Sequence, residues 1–140
     1  MRMWYVNPKV LCNQHLLGEH CEMHMFAGSI LAKIKLHGYV TGNLLAGQFL
    51  QQRHDLLATE LIRRGGNHKS PLQVVAVPEV YSVEPDVYSS VVHLLSHCTD
   101  CRLNAEPFAF WLCENRLAWQ DTWIQEIAYE NAQFFQTKTS

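Results

Sequence analysis

The sequence predicts a globular domain built mainly from helices. Two long segments combine helical apolar spacing with recognisable start or stop signals, and the aromatic-rich end of the chain also looks helical. Of the 140 residues, 48% are hydrophobic, which is enough for the core of one domain. The apolar runs are too short to span a membrane and the first residues lack the apolar stretch of a signal peptide. We therefore expect a cytoplasmic protein.

The first helix is predicted from about Pro8 to Phe26. Asn7 suits the N-cap, and a proline in the first turn loses nothing because the N–H it lacks has no helical partner there. The residues expected to face the core are Val10, Leu11, Leu17, Cys21 and Met25.

Another face of this helix carries Gln14, Gly18 and Glu22, which are four residues apart. A glycine in the middle of a helix costs about 1 kcal/mol relative to alanine. We therefore expect another part of the protein to approach the backbone closely at Gly18, most simply a neighbouring helix.

The second helix is predicted from about Gln48 to Arg64. Gly65 and Gly66 follow it at the usual position of a C-cap, and Arg63 and Arg64 suit the negative end of the helix dipole. The residues expected to face the core are Phe49, Leu50, Leu57, Leu61 and Ile62.

The segments around this helix are less regular. We expect a further helical turn or two within Ser29–Leu36 and a glycine-containing loop at His37–Gly47. Asn67–Pro71 is predicted to be a polar loop, and the β-branched segment Leu72–Val83 an extended segment interrupted by Pro78.

A third helix is predicted from Pro85 and Asp86 to about His97, followed by a turn at Cys98–Cys101. Pro107–Trp119 and Asp121–Phe135 are predicted to be helical. The sequence contains no internal repeat and no clear linker, so we expect one domain over residues 1–140.

The charge is unevenly distributed along the chain. Residues 1–70 contain eight Lys and Arg against four Asp and Glu, whereas residues 71–140 contain three against nine. This asymmetry fits a protein with one anion-binding face, and equally fits chance differences between solvated surfaces.

The five cysteines are an odd number, and without an export signal they are expected to be reduced thiols. Cys98 and Cys101 form a C-x-x-C pair with no second pair. A zinc site completed by His93 or His97 is one interpretation, and reduced cysteines in a turn is the favoured one.

Histidines and acids on the first helix, His15, Glu19, His20 and His24, offer another possible metal site. His20 and His24 share one helix face, but the pattern lacks the glutamate of a zinc-protease motif. Surface or hydrogen-bonded histidines are the favoured interpretation.

The segment Gln14–Glu22 resembles the pyrimidine dimer DNA glycosylase (endonuclease V) family. Met1-Arg2 corresponds to the amino-terminal nucleophile end of that family, and Arg53–Gly65 resembles its second long helix. Asn67–Leu72 is similar to a loop in bacterial and viral relatives.

The resemblance covers residues 1–72 well, is thin over 73–103, and leaves 104–140 as a divergent helical extension. It implies an all-α, single compact domain with the amino terminus tucked between helices. It also implies a DNA glycosylase with AP lyase activity on damaged double-stranded DNA, with no cofactor or metal. In that mechanism the α-amine of Met1 attacks C1′ of the nucleotide, and Glu22 is the essential carboxylate. An α-amine is a good nucleophile at neutral pH.

The resemblance also assigns the substrate contacts. Arg2 matches an arginine that holds phosphate beside the nucleophile, and Gln14 and His15 match residues that line the site. Arg53 and Lys69 are further expected DNA contacts, as part of a basic cluster whose alternative interpretation is a set of solvated helix ends.

The chain departs from the family in several places. The phage member exposes a threonine by losing its initiator methionine, whereas here the same offset falls on Met1, which the bulky Arg2 is expected to retain. Cys21 and Met25 stand where that member has arginines, and an acidic, Trp-rich extension replaces its basic tail. Two alternatives therefore stay open: a non-catalytic DNA-binding or protein-interaction module on the same fold, and a glycosylase for another modified base.

Overall fold

The computed structural model describes residues 1–73 and 75–109. Within these residues all the regular structure is helical and there is no strand, which confirms the all-α prediction. The α-helices are α1 (Asn13–Leu31), α2 (His37–Thr41), α3 (Leu50–Arg63), α4 (Val87–His97) and α5 (Thr99–Ala109). Short 3-10 helices lie at Pro8–Val10, Gly47–Phe49 and Glu79–Tyr81.

The described residues form two compact units. The first unit comprises Met1–Met3 and Asn13–Pro85, and the second comprises Trp4–Cys12 together with the described residues from Asp86 onward. The expectation of a single domain over residues 1–140 stays a prediction. No helix in the described residues is both long enough and apolar enough to cross a bilayer.

The first helix begins later than predicted. Asn7 does accept a hydrogen bond from the backbone N–H of Lys9 at 3.1 Å, but the helix it caps is the 3-10 helix Pro8–Val10. Leu11 then adopts an extended conformation, with φ −66° and ψ 134°, so α1 starts only at Asn13.

The buried face of α1 is also not the predicted one. Leu17 and Met25 are 55% and 54% exposed, and Cys21 is exposed as well. Because two polar residues lie on the buried face, the contrast between apolar and polar faces in the sequence is weak and points to the wrong side. The buried residues are Leu16, Glu19, His20, Met23, Phe26 and Ala27.

α1 continues to Leu31 and ends near Lys33, whose φ of +59° is incompatible with a continuing helix. The segment predicted as a loop from His37 to Gly47 contains α2, a helix of five residues. The helical turns expected before it are therefore the end of α1 and not a separate element.

α3 follows the prediction closely. It ends at Arg63, and the N–H groups of Gly65 and Gly66 donate to the carbonyls of Ile62 and Leu61 at 2.9 and 2.8 Å. Gly65 has φ +90°, a conformation that favours glycine, which is why the sequence marks this helix end clearly. Ile62 is an exception to the predicted buried face, because 56% of it is exposed.

The described residues between α3 and α4 form no strand, and the 3-10 helix Glu79–Tyr81 packs against the 3-10 helix Gly47–Phe49, which precedes α3. Gln48 binds Val83 through two hydrogen bonds, donating from Nε2 to the carbonyl at 2.7 Å and accepting from the N–H at 3.2 Å. The hydroxyl of Tyr81 accepts a buried hydrogen bond from the N–H of Leu36 at 3.1 Å. Gly47 is buried beside Tyr81, where a side chain has no space.

In the second unit, α4 packs against α5. Asp86 caps α4 by accepting from the N–H of Ser89 at 3.0 Å, as its position before the helix predicts. Arg102 on α5 donates from Nε to the carbonyl of Leu95 at 2.8 Å. The predicted turn at Cys98–Cys101 is shorter than expected, because α5 already begins at Thr99.

The helices predicted over Pro107–Trp119 and Asp121–Phe135 lie almost entirely outside the described residues. Only the end of α5, up to Ala109, falls within them.

We expect Gly47→Ala to lower the free energy of unfolding by about 1–3 kcal/mol. An added Cβ would lie 2.8 Å from both Tyr81 Cβ and Val77 Cγ1, so these residues would have to move. Urea unfolding followed by circular dichroism measures the change. Gly28→Ala is the control, since a Cβ there meets none of the described residues within 4 Å, and it should be neutral or stabilising. Equal stability of the two variants would contradict the packing of Tyr81 on Gly47.

Candidate active site at the amino terminus

The amino terminus of the chain lies against the carboxylate of α1. The backbone N–H of Arg2 donates to Oε2 of Glu22 at 3.0 Å in a partly buried position. Standard bond lengths then keep the nitrogen of Met1 within about 7 Å of the same oxygen. The sequence separation of these residues gives no indication of this contact, which depends on the chain folding back.

The chain is held in this position by the next residue. Met3 is fully buried in the first unit, and its N–H donates to the carbonyl of Leu44 at 2.7 Å. A buried side chain and a backbone hydrogen bond on one residue fix the direction of the two residues before it. Met1 and Arg2 therefore retain partial exposure at a defined place beside Glu22.

Gln14, Gly18 and Glu22 form an open strip along α1. Gln14 and Gly18 are exposed and Glu22 is half-buried. A Cβ built on Gly18 meets nothing within 4 Å in the described part of the chain, so the expected close contact with another helix is wrong. The strip instead leaves free space beside the carboxylate.

The remaining residues predicted to contact DNA differ in their exposure to solvent. His15 is half-buried on α1 next to the strip, and Lys69 is exposed in the loop that follows α3. The guanidinium of Arg2 donates from Nε to the carbonyl of Met3 at 3.3 Å. The roles of His15, Lys69 and Arg2 toward DNA stay predictions.

Arg53 is the exception, because the structure places it in the core. Its guanidinium donates from Nε and Nη2 to the two carboxylate oxygens of Glu19, at 2.5 and 2.9 Å, and both side chains are fully buried. The prediction that Arg53 contacts DNA is therefore wrong. Residue 53 lies on the face of α3 that packs against α1, and no part of its side chain reaches the surface.

Arg63 and Arg64 are paired with an acid at the end of the same helix. Glu60 is 4% exposed and accepts from Arg63 at 2.6 Å and from Arg64 at 2.9 Å. The hydrogen bond from Arg63, supported by Arg64, lowers the pKa of Glu60 despite its burial. The Nη1 of Arg64 also donates to the Asn13 side chain at 2.9 Å, at the start of α1. Arg64 thus links the end of α3 to the start of α1.

A cluster of four histidines in the first unit was not predicted as a set. His20 and His24 on α1, His54 on α3 and His68 in the following loop bring one ring nitrogen each to within 4.8 Å of one another. The spacing of His20 and His24 is visible in the sequence, but no sequence signal connects them with His54 and His68. This set is called the histidine cluster below.

The surroundings of two members of the cluster, His20 and His24, favour their neutral forms. Burial, together with the neighbouring rings of His54, His24 and His68, lowers the pKa of His20 to about 4. Burial and the same kind of repulsion lower the pKa of His24, while a backbone hydrogen bond at Ser70 opposes the shift. An unfolded chain would bind protons at His20 near pH 6.5, so acidification from there toward pH 4 removes stability that is present at neutral pH.

Three cysteines lie together in the second unit. Sγ of Cys12 is 4.0 Å from Sγ of Cys98, and Sγ of Cys101 accepts from the N–H of Cys12 at 3.2 Å. Burial raises the pKa of Cys101. Neither predicted histidine joins these sulfurs, since His93 stacks on Trp4 and His97 bonds to the carbonyl of His93. Cys12 is thus a third thiol beside the C-x-x-C pair, and thiolates are ligands for soft metals.

The fold and the site are those of a helical protein whose first residues contact a carboxylate on a long helix. The family model for pyrimidine dimer DNA glycosylase matches residues 1–74, a span that contains Met1, the open strip and the histidine cluster. The chain belongs to the pyrimidine dimer DNA glycosylase family, which confirms the resemblance. At the level of the family this indicates a DNA repair glycosylase. No curated protein and no solved structure matches the chain.

We expect Arg53→Leu to lower the free energy of unfolding by about 3–5 kcal/mol, because it leaves the carboxylate of Glu19 buried without a partner. Glu19→Leu combined with Arg53→Leu should cost clearly less than that, because no charge is then buried. Denaturant unfolding of both single variants and the double variant measures the coupling between the two residues.

The control for this cycle is Arg63→Gln. Its side chain is 58% exposed and Glu60 keeps Arg64, so the loss should be below about 1 kcal/mol. Additive losses from Glu19→Leu and Arg53→Leu would show that the pair does not form.

Proposed function

We propose that the chain is a DNA glycosylase with AP lyase activity that uses its amino-terminal amine as the nucleophile. The observation that carries this proposal is the hydrogen bond from the N–H of Arg2 to Glu22, which places the start of the chain beside the only member of the open strip with a carboxylate. Family membership supports the glycosylase step.

In the first step the amine nitrogen of Met1 attacks C1′ of the damaged nucleotide. The bond from C1′ to the base breaks, its electron pair leaves with the base, and the base takes up a proton. Positive charge develops at C1′ and on the ring oxygen during this displacement. The carboxylate of Glu22 stabilises that charge and accepts a proton from the amine.

In the second step the sugar ring opens and the amine becomes a Schiff base with C1′. The imine makes the C2′ proton acidic, and a base removes it. Elimination then breaks the bond from C3′ to its oxygen, which cuts the strand, and water releases the enzyme by hydrolysing the imine. Glu22 is the proposed carrier of the protons in these steps.

The open strip provides the approach for the nucleotide. The damaged nucleotide must be extruded from the duplex for an amine to reach C1′. Gln14 and His15 lie along α1 on the way to Glu22, and Arg2 adds a cation beside the amine for a phosphate. Lys69 is a further proposed phosphate contact from the loop after α3, whereas the buried Arg53 is not.

The runner-up is a non-catalytic DNA-binding or protein-interaction module on the same fold. In that case the acidic second half of the sequence is the surface for a partner, since phosphate neutralisation is the main source of DNA affinity and this half contributes little to it. The two functions differ in one property, which is whether a covalent bond to DNA forms.

We expect Glu22→Gln to bind damaged DNA but to lose strand cleavage by at least about 100-fold, because an amide cannot accept the proton. Borohydride reduction during the reaction should trap a covalent adduct on pyrimidine-dimer DNA with the unmodified chain. Acetylating the amino terminus should abolish the adduct, and intact mass spectrometry shows whether Met1 is present. Glu79→Gln is the control, since this carboxylate is exposed on a different segment.

Normal nicking by Glu22→Gln would refute the role of that carboxylate. An adduct that survives acetylation would refute the nucleophile. Binding to damaged DNA with no adduct on any lesion tested would favour the binding module.

Gly18→Ala should separate the stability of α1 from its contact with DNA. An alanine in a helix is more stable than glycine by about 0.5–1 kcal/mol, and no atom of the described residues lies within 4 Å of the added Cβ. The methyl group would, however, stand in the open strip between Gln14 and Glu22. We expect unfolding at higher denaturant concentration together with several-fold weaker DNA binding.

The matched control is Gly28→Ala, at an equally unobstructed position further along α1. It should gain similar stability and bind DNA normally. Equal DNA affinity of the two variants would show that the nucleotide does not approach along the open strip.

A further inference from the structure

The histidine cluster joins three separate elements of the first unit. His20 and His24 are one turn apart on α1, His54 lies on α3, and His68 lies in the loop after α3. Their ring centroids are 4.9–5.3 Å apart in the five close pairs. His20 and His54 are buried and the other two are half-buried.

The cluster leaves polar atoms without partners. The Nε2 atoms of His20, His24 and His68 are buried and make no hydrogen bond to any of the described residues. Buried polar side-chain atoms are usually paired, and each unpaired one costs about 1–3 kcal/mol. Three such atoms directed into one small region are therefore unfavourable unless something binds them there.

We propose that these four histidines bind a divalent transition metal ion, with zinc as the reference metal. Neutral imidazole nitrogen is a preferred ligand for zinc and for its neighbours in the series, and each histidine offers one such nitrogen here. Zinc–nitrogen bonds of about 2.0–2.1 Å place tetrahedral ligand atoms about 3.4 Å apart. The nitrogens already lie within 4.8 Å of one another, so small side-chain rotations close the site.

The surroundings of His54 suit a metal ligand. Its Nδ1 lies 2.9 Å from a carboxylate oxygen of Asp55, and its Nε2 lies 3.2 Å from the carbonyl of Ser70. Asp55 is itself oriented by Gln51, whose Nε2 donates to the same oxygen at 3.1 Å. When one nitrogen of His54 binds the metal, the other donates to its acceptor, which fixes the ring and raises its basicity.

The role of the ion is structural. Four protein ligands fill a tetrahedral site and leave no position for water or substrate. On an α-helix with 3.6 residues per turn, Glu22 projects to roughly the opposite side from His20 and His24. The metal would therefore fasten the loop that carries Lys69 to α1 and α3 without entering the proposed active site.

The test measures metal bound to the full chain and to histidine variants. The chain is loaded with zinc, freed of excess by gel filtration, and analysed by elemental mass spectrometry. His24→Ala combined with His68→Ala should lose one equivalent of zinc relative to the unmodified chain. His37→Ala, an exposed histidine outside the cluster, should lose none. Circular dichroism confirms that each variant stays folded.

Cobalt distinguishes this site from the three cysteines. Cobalt in the histidine cluster should give tetrahedral visible absorption that disappears in the double variant, with no accompanying loss of thiolate-to-cobalt absorption. The same measurement on the unmodified chain needs no variant to fold. Zinc content that is equal in the unmodified chain and the double variant, or cobalt absorption that comes from thiolate alone, would overturn the proposal.

Discussion

The buried ion pair between Glu19 and Arg53 is the interaction on which the first unit depends. It joins α1 to α3 with both charges fully desolvated, an arrangement that is tolerated only when the geometry is close to ideal. The bidentate contact meets that condition, since both carboxylate oxygens receive a donor. If either side chain moved away, the other would be left as an unpaired buried charge. The pair therefore fixes the rotation of α1 about its own axis.

That rotation decides which residues of α1 face outward. With Glu19 directed into the core, His20 and Met23 are buried beside it, and Gln14 and Gly18 face solvent. The amino terminus is fixed independently by the buried Met3, and it meets this outer side at Glu22. Two independent constraints therefore bring the start of the chain to Glu22. The ion pair between Glu19 and Arg53 sets the rotation of α1, and the buried Met3 holds the chain before it.

The sequence predicts well those elements whose ends are set by local chemistry. α3 is recognisable because Gly65 adopts a positive φ after it, and α4 because Asp86 caps it. The face of α1 is not predictable in the same way. In the sequence a buried glutamate looks like a surface residue, because its arginine partner is not known from local sequence. The apolar pattern therefore predicts that Leu17 and Met25 face the core, whereas both are exposed.

The candidate site shows the same limit. Glu22 and the start of the chain are predicted as a site only from the resemblance to the family. Arg53 fits the same family pattern, but in the structure it is buried in an ion pair with Glu19. The histidine cluster is invisible to local analysis, because His54 and His68 are distant in sequence from His20 and carry no motif that links them. Tertiary proximity is the missing information in both cases.

The three sides of α1 make the proposals independent of one another. The core side carries the ion pair, a neighbouring part of the buried surface carries the histidine cluster, and the outer side carries Glu22. A chain that binds no metal would keep the contact between its amino terminus and Glu22, because that contact uses none of the four histidines. A chain that forms no adduct with DNA would still face the unfavourable burial of three unpaired imidazole nitrogens. The proposed reaction at Glu22 and the proposed metal at the histidine cluster are therefore tested by separate measurements, although one helix carries both sites.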